Sequence, residues 1–583
     1  MRTRLAVWTL AATAACGGAA PTGPSAPPED TSDADSAVLA DAASDNAAVD
    51  SASETAADAS PEVSVNTCLF AASTEPGVIA TDRGLVRGQK VDGGWMWRGI
   101  PYAAPPLGDL RWKPPQPHAC FADTVNALAF GAKCPQKNPT TGALEGSEDC
   151  LTLNVFTPPP LVDKPNPPLP VLVFIHGGGN VQGSTSESIA STTKPIYAGQ
   201  HLAGAAHAVV VTLQYRLGPL GWLSLPELST ESGKKSGNQG LQDQLFALNW
   251  VQKNISAFGG DPQHVLVFGE SAGAVDTCAL LTSPAAKGLF AAALMESGNC
   301  SQPKQETAQT AMAARVAQGS CGTVADRLTC LRGLDQKTLL TELGGSIGIG
   351  EVSFTPDPGK YGPVVDGDLL PQSPLDALTA GTFNQVPFVV GCNGQELAKL
   401  LTLKVTTDAD LQKTIAAAFA TLAPENLAKV QAMYASAKYP SPQDALIAVF
   451  SDVRFVCPTR SIARAAVKVA KSPVWRYFFT RQATGPKATV PASHGLELLY
   501  VFGSLHDIPL YEPSAFDVML AEAMQRYWGN LAAMGTPNAA ADVAWPPYDA
   551  VTDAFLEFAE SPKAGAGVRT AECDLWATLI PGY

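Results

Sequence analysis

Long apolar runs are missing from this 583-residue chain: none reaches the roughly 18 to 20 residues that a membrane-spanning helix needs. Any membrane attachment therefore has to go through an anchor. Basic charge is also scarce, with 39 Lys and Arg against 54 Asp and Glu and a formal charge of −15. That is the wrong sign for gripping a phosphate backbone by counterion release, and it excludes nucleic acid as an expected partner. There is no Cys-x-x-Cys, no His-Glu-x-x-His and no phosphate-cradling lysine loop, so neither metal nor cofactor is expected. Gly345-Ser-Ile-Gly348-Ile-Gly350 comes nearest to a dinucleotide fingerprint, but its glycines stand in reverse order and read as a flexible loop. Histidine is rare, with seven in all: His118, His176, His201, His207, His264, His494 and His506.

What is present is ample core material, 46% hydrophobic against 16% charged, as a large folded protein requires. The acidity is concentrated. Residues 17–66 hold ten acids, no Lys or Arg, and otherwise mostly Ala, Ser, Pro and Thr. Such a segment buries too little apolar surface to offset its ordering entropy and reads as a disordered, self-repelling tether. Without it and without Arg2 and Arg4, the formal charge on residues 67–583 is only −7.

Residues 1–16 read as an export signal: Arg2 and Arg4, an apolar stretch from Leu5 to Ala15, then Cys16. Ala14-Ala15-Cys16 resembles a bacterial lipobox, in which the cysteine becomes a lipid anchor. Thr13 departs from the aliphatic residue usual there, and cleavage after Ala14 is the competing expectation. Eleven further cysteines suit an oxidising compartment. Three segments result: signal 1–16, tether 17–66 and a single large domain with insertions over 67–583.

From Pro76 onward, short β-branched runs alternate with helical patterns, which predicts an α/β protein with a mostly parallel sheet. Val171–Ile175, Val209–Leu213, Val265–Phe268, Ala292–Met295, Pro387–Val390 and Val474–Phe479 read as strands. Leu241, Leu245, Leu248, Val251 and Ile255, spaced three and four apart, predict a helix with one buried face.

Gly269-Glu270-Ser271-Ala272-Gly273 directly follows one of these strands and precedes a helix-like run. A strained strand-to-helix turn needs small residues two before and two after its serine, and it presents the hydroxyl at the carboxyl end of the sheet. A serine needs a base, and the base needs an acid to fix its tautomer. In this chain order, Ser, then acid, then His, only His494 and His506 qualify as the base. His494, in a loop after a strand and before Gly495, is preferred. Glu396, six residues past Val390, is the preferred acid, and Asp366, flanked by glycine and proline, is its rival and reads as a turn former. His176-Gly-Gly-Gly179 follows a strand and offers unhindered backbone N–H groups for an oxyanion, completed by Ala272 N–H.

Together with Arg98-Gly-Ile-Pro-Tyr102, Glu148-Asp-Cys-Leu-Thr-Leu-Asn154, Phe258-Gly-Gly-Asp-Pro262 and His494-Gly-Leu-Glu497, these motifs make most of residues 75–583 resemble the type-B carboxylesterases, which include the cholinesterases. The resemblance implies an α/β-hydrolase fold and a serine carboxylic-ester hydrolase. It implies Ser271, Glu396 and His494 as the catalytic triad and Gly178, Gly179 and Ala272 as the oxyanion donors. Ser297 would support the acid, and Glu270 stands beside the nucleophile. It also implies disulfides Cys134–Cys150, Cys321–Cys330 and Cys457–Cys573. Cys68 and Cys120 are a candidate fourth pair, and Cys278, Cys300 and Cys392 have no assigned partner.

Some positions depart from the family. Asn180 replaces an aromatic residue after the glycines, which predicts a more polar pocket mouth. Thr140 and Lys399 stand where cholinesterases carry the aromatics that bind a quaternary ammonium. Gln395-Glu396-Leu397 replaces the family's Asp-Glu-Gly. The expected partner is a small-molecule ester, with the membrane reached only through an anchor at Cys16. An amidase or thioesterase on the same machinery, or a non-catalytic binding protein, are the alternatives.

Overall fold

Alternation along one strand sets up the whole architecture. In Leu169–Ile175, Val171, Val173 and Ile175 enter one hydrophobic core while Leu172 and Phe174 enter another, as a two-residue period places them on opposite faces. Both faces are covered, so the strand reads as a continuous apolar run. The structure, a computed structural model, describes residues 68–580 except 72, 140, 160–166, 189–193, 234, 347–358, 485–488 and 509–510. The signal with Cys16, the tether, Thr140 and residues 347–350 of the glycine loop lie outside the described residues.

The main sheet has eleven strands: β1 (Gln89–Val91), β2 (Gly94–Pro101), β3 (Thr152–Thr157), β4 (Leu169–Ile175), β5 (Val209–Leu213), β6 (Gly260–Glu270), β7 (Ala292–Glu296), β8 (Phe388–Asn393), β9 (Val474–Phe479), β10 (Ala554–Phe558) and β11 (Pro562–Ala566). Their order is β11-β10-β9-β8-β7-β6-β4-β5-β3-β2-β1. The stretch from β10 to β5 is parallel, and the pairs at either end are antiparallel.

The six strands expected from sequence are all in the parallel block, several of them longer than expected. The antiparallel edges were not anticipated. In β2, Trp95 and Trp97 are separated from Ile100 by a register shift against β3, and that irregularity breaks the period-two signal.

Four helices matter to the site: α1 (Gln239–Asn254), α2 (Ala272–Thr282), α3 (Cys457–Val467) and α4 (Ala515–Met534). Leu241, Leu245, Leu248 and Val251 bury the expected face of α1 in the first core. Ile255 falls instead in a tight turn, Ile255–Phe258, that Gly259 closes at φ 84°. On the other side of the sheet, Leu520, Met524, Trp528 and Leu531 of α4 pack into the second core. A third core gathers Phe450, Phe455, Cys457 and Trp576. The turn leading into α3, Asp452–Val456, is π-helical.

Among the described residues five disulfides are present: Cys68–Cys120, Cys134–Cys150, Cys278–Cys300, Cys321–Cys330 and Cys457–Cys573. Cys278–Cys300, for which the sequence offered no partner, ties α2 to the segment after β7. Cys392 is a buried free thiol on β8. Among the described residues no helix is long and apolar enough to cross a membrane, and no cluster of side chains could hold a metal ion.

Candidate active site

The end of β6 is where the chain is most tightly constrained. Ser271 sits at φ 57° and ψ −119°, a strained conformation for a residue with a side chain. A Cβ on Gly269 would lie 2.5 Å from the backbone of Gly273, and one on Gly273 would lie 2.1 Å from the carbonyl oxygen of Ile175. These contacts explain why both flanking positions must be glycine. Ser271 N–H donates to the Glu296 carbonyl at 2.8 Å, and the Ser271 carbonyl accepts from Ala274 and Val275 as α2 begins. The serine thus stands at the carboxyl end of the parallel strands and at the N-terminus of a helix, whose dipole favours developing negative charge.

Glu396 lies just past β8 and is fully buried. Its Oε1 accepts from Asn393 N–H at 2.7 Å and from Ser297 Oγ at 2.6 Å, and its Oε2 is 2.7 Å from His494 Nδ1. A carboxylate only accepts, so Nδ1 carries the proton, and Nε2 is the nitrogen that can serve as a base once it has lost its own. The backbone adds a further tie, His494 N–H to the Glu396 carbonyl at 3.0 Å. On its open side the imidazole packs against Phe455, with ring centroids 4.9 Å apart. Nε2 lies 3.1 Å from Glu270 Oε1 and, in this structure, makes no hydrogen bond to Ser271 Oγ. Such bonds often tighten only once substrate is bound.

Buried carboxyls of Glu270, Glu396 and Glu497 act on this imidazole, and Glu296 lies behind them. Burial raises Glu270 to about 7, with His494 opposing and Glu396 adding to the rise. Burial with Glu270 and Glu396 raises Glu497 to about 8, while Asn393 donates to it. Glu296, buried and near Glu497, is held well above the usual carboxylate range although Trp528 Nε1 donates to it at 2.8 Å. Burial works against a charged imidazole, but Glu270 and Glu396 outweigh it and lift His494 to about 9. Glu270, Glu296 and Glu497 cannot readily all ionise together, and their titrations are shared.

The glycine run after β4 turns through positive φ at Gly178 (110°) and Gly179 (65°). Outside helices and strands, neither of their N–H groups nor that of Ala272 donates to a backbone carbonyl among the described residues, as an oxyanion site requires. His176 is buried and its side chain stacks on Tyr215 at 4.6 Å. Burial holds it down at about 4, despite a bond to the Gly177 carbonyl, so it is neutral and structural.

The rival residues lie elsewhere. Asp366 organises a turn, accepting from Asn238 and from the N–H groups of Asp368 and Leu370. His506 is exposed in the short turn Leu505–Asp507. Lys399 is exposed. The expectation for Asn180 is corrected: it is 2% exposed and does not line a mouth. Its amide turns inward because a buried carboxylate, Asp276 on α2, needs a donor, which Asn180 Nδ2 supplies at 3.0 Å. Phe455 was missed from sequence, and Glu296, beside Ser297, was given no role. Glu497 was quoted within a motif but given no role, although its spacing of three from His494 puts it one turn on.

A parallel sheet with a serine on a strained turn after one strand, an acid after a later strand and a histidine in a following loop defines an α/β-hydrolase. Residues 75–576 match the Carboxylesterase family, and the chain belongs to it. The chain is 36% identical over 482 residues to the para-nitrobenzyl esterase of Bacillus subtilis (strain 168), covering 81% of this chain and 92% of that protein. It is 33% identical over 551 residues to the liver carboxylesterase of Sus scrofa, covering 87% and 93%. A solved thermophilic PNB esterase superposes with a TM-score of 0.72 at 32% identity, covering 85% of this chain and 99% of that one.

Proposed function

We propose that this protein is a serine carboxylic-ester hydrolase working through an acyl-enzyme on Ser271. His494 Nε2 takes the hydroxyl proton as Ser271 Oγ bonds to the ester carbonyl carbon, and the carbonyl electron pair moves to the oxygen. Gly178, Gly179 and Ala272 N–H groups hold that oxyanion. As it collapses, the bond to the alcohol oxygen breaks and His494 returns the proton to the leaving alcohol. Water, deprotonated by the same imidazole, then releases the acid and restores Ser271. Glu396 keeps the proton on Nδ1 and stabilises the charged ring. The observation that carries this reading is the 2.7 Å contact between Glu396 and His494 beside a serine on a strained elbow.

The test is Ser271→Ala with p-nitrophenyl acetate, the probe suggested by the para-nitrobenzyl esterase relative. Wild type should show a burst of p-nitrophenol and the variant neither burst nor turnover, while both keep the same melting temperature. Near-native turnover in the variant would overturn the reading.

The same proposal has the catalytic domain, residues 67–583, outside the cytoplasm, because disulfides such as its five form and persist mainly in oxidising compartments. Lipid on Cys16 would then tether it to a membrane through residues 17–66. A single acyl chain holds only marginally, so two or more would be needed. With Cys16→Ser, the protein should leave the membrane fraction of a bacterial host. If wild type is equally soluble, the chain is cut after Ala14 and simply secreted.

A further inference from the structure

The oxyanion site of the proposed mechanism comes in two separate pieces. Gly178 and Gly179 lie on the loop after β4, and Ala272 opens α2. Their N–H groups converge only if loop and helix are held in register. One side-chain link joins them. Asn180, the residue after Gly179, donates Nδ2 to Asp276 Oδ1 at 3.0 Å, and Asp276 sits on α2 one turn past the nucleophile elbow. Gln244 of α1 donates Nε2 to the other oxygen, Asp276 Oδ2, at 2.6 Å. Asp276 and Gln244 are fully buried and Asn180 is 2% exposed.

We propose that Asn180 and Asp276 form a strut that fixes the glycine loop against α2, and that both are positioning residues for the oxyanion site. Further observations support it. Asp276 has two amide donors, and burial raises it to about 7 against their bonds. Asn180 is itself at φ 59°, and its carbonyl accepts from Gly218 N–H at 2.6 Å, so backbone and side chain both pin this residue. The amide oxygens of Asn180 and Gln244 have no partner. An amide at position 276 would therefore find a donor and an acceptor after one neighbouring amide flips. The inference rests on the ester-hydrolase reading, because only a developing oxyanion gives the strut a kinetic signature.

Asn tolerates positive φ better than most residues, so a purely conformational role has to be separated from the strut. Asn180→Gly does this: it keeps the backbone unstrained and removes the link. Expected is a fall in kcat of about tenfold to a hundredfold with KM little changed, the scale of a misplaced reacting group. A trifluoromethyl ketone, whose carbonyl forms a bond to Ser271 Oγ and becomes an oxyanion while His494 takes the proton, should weaken by the same factor. Asp276→Ala should match Asn180→Gly, the double variant should be no worse than the poorer single, and Asp276→Asn should recover most of the loss. Melting temperatures identify any variant that fails to fold, and Asn180→Gly carries the test if Asp276→Ala does. Wild-type kcat and inhibitor affinity in Asn180→Gly would overturn the strut, as would an Asp276→Asn variant as damaged as Asp276→Ala. Turnover surviving Ser271→Ala would overturn the functional reading instead, whatever the strut variants do.

Discussion

Ser297 donates its hydroxyl to Glu396 Oε1 at 2.6 Å, across 99 residues of chain. Ser297 follows β7 and Glu396 follows β8, neighbours in the parallel sheet, so the bond joins two adjacent strand ends. Ser297 is at φ 56°, strained for a serine, and its hydroxyl also lies 3.3 Å from Glu497 Oε1. Among the described residues it is the one hydroxyl bonded to Glu396, and it stands between two carboxyls.

Ser297→Ala is therefore expected to lower kcat without abolishing it. A hydrogen bond to a charged group contributes about 1.5–3 kcal/mol. The loss should be smaller than that from replacing Glu396, because Asn393 N–H still holds Oε1. Steady-state kinetics of the two variants side by side check the ranking, and an alanine variant as inactive as Glu396→Gln would contradict it.

The pH profile should respond to Glu270. A base must be neutral to accept a proton, so turnover falls on the acid side of the His494 titration. Glu270 is one of the groups that raise His494 to about 9, together with Glu396 and Glu497. In Glu270→Gln that attraction is gone, so the acid limb of kcat/KM should move down toward the ordinary imidazole value of 6.5. Glu270 is itself raised to about 7, so the wild-type limb reports the pair together. A limb that stays in place would show that Nε2 does not sense this carboxylate.

The parallel strands and the elbow were legible because their signals are local: runs buried on both faces, and glycines at fixed offsets from a serine. The pairing of Cys278 with Cys300 was not, since it depends on α2 and the segment after β7 meeting in space. Asn180 misled for a related reason. Its neighbours in sequence are glycines of the site loop, and only the fold brings Asp276 beneath it. Phe455 left no trace either, because the π-helical turn that aims it at His494 breaks the helical period on which a sequence reading depends.

Stability should depend heavily on Asp517, the most densely bonded carboxyl in the second core. It closes a capping box with Ser514 at the start of α4 and accepts from Arg481 Nε at 2.8 Å, Tyr500 at 2.9 Å and Tyr511 at 2.6 Å. Burial opposes its charge, but the bonds from Arg481, Ser514 and Tyr511 outweigh it and hold the carboxyl well below the usual range. A group whose folded pKa is depressed stabilises at pH above its unfolded value, near 3.8, and loses that contribution as pH falls further. Asp517→Asn leaves Arg481 with the more distant Glu560 Oε1, at 3.4 Å, and should cost more at pH 7 than the ~1 kcal/mol of an exposed ion pair. Urea melts of wild type and variant should differ widely at pH 7 and converge below pH 3.8. Because α4 also carries Trp528, which donates to Glu296 behind the nucleophile, the variant should lose activity on warming before wild type does. Equal urea midpoints at pH 7 would show that the capping box and the arginine contribute nothing to stability.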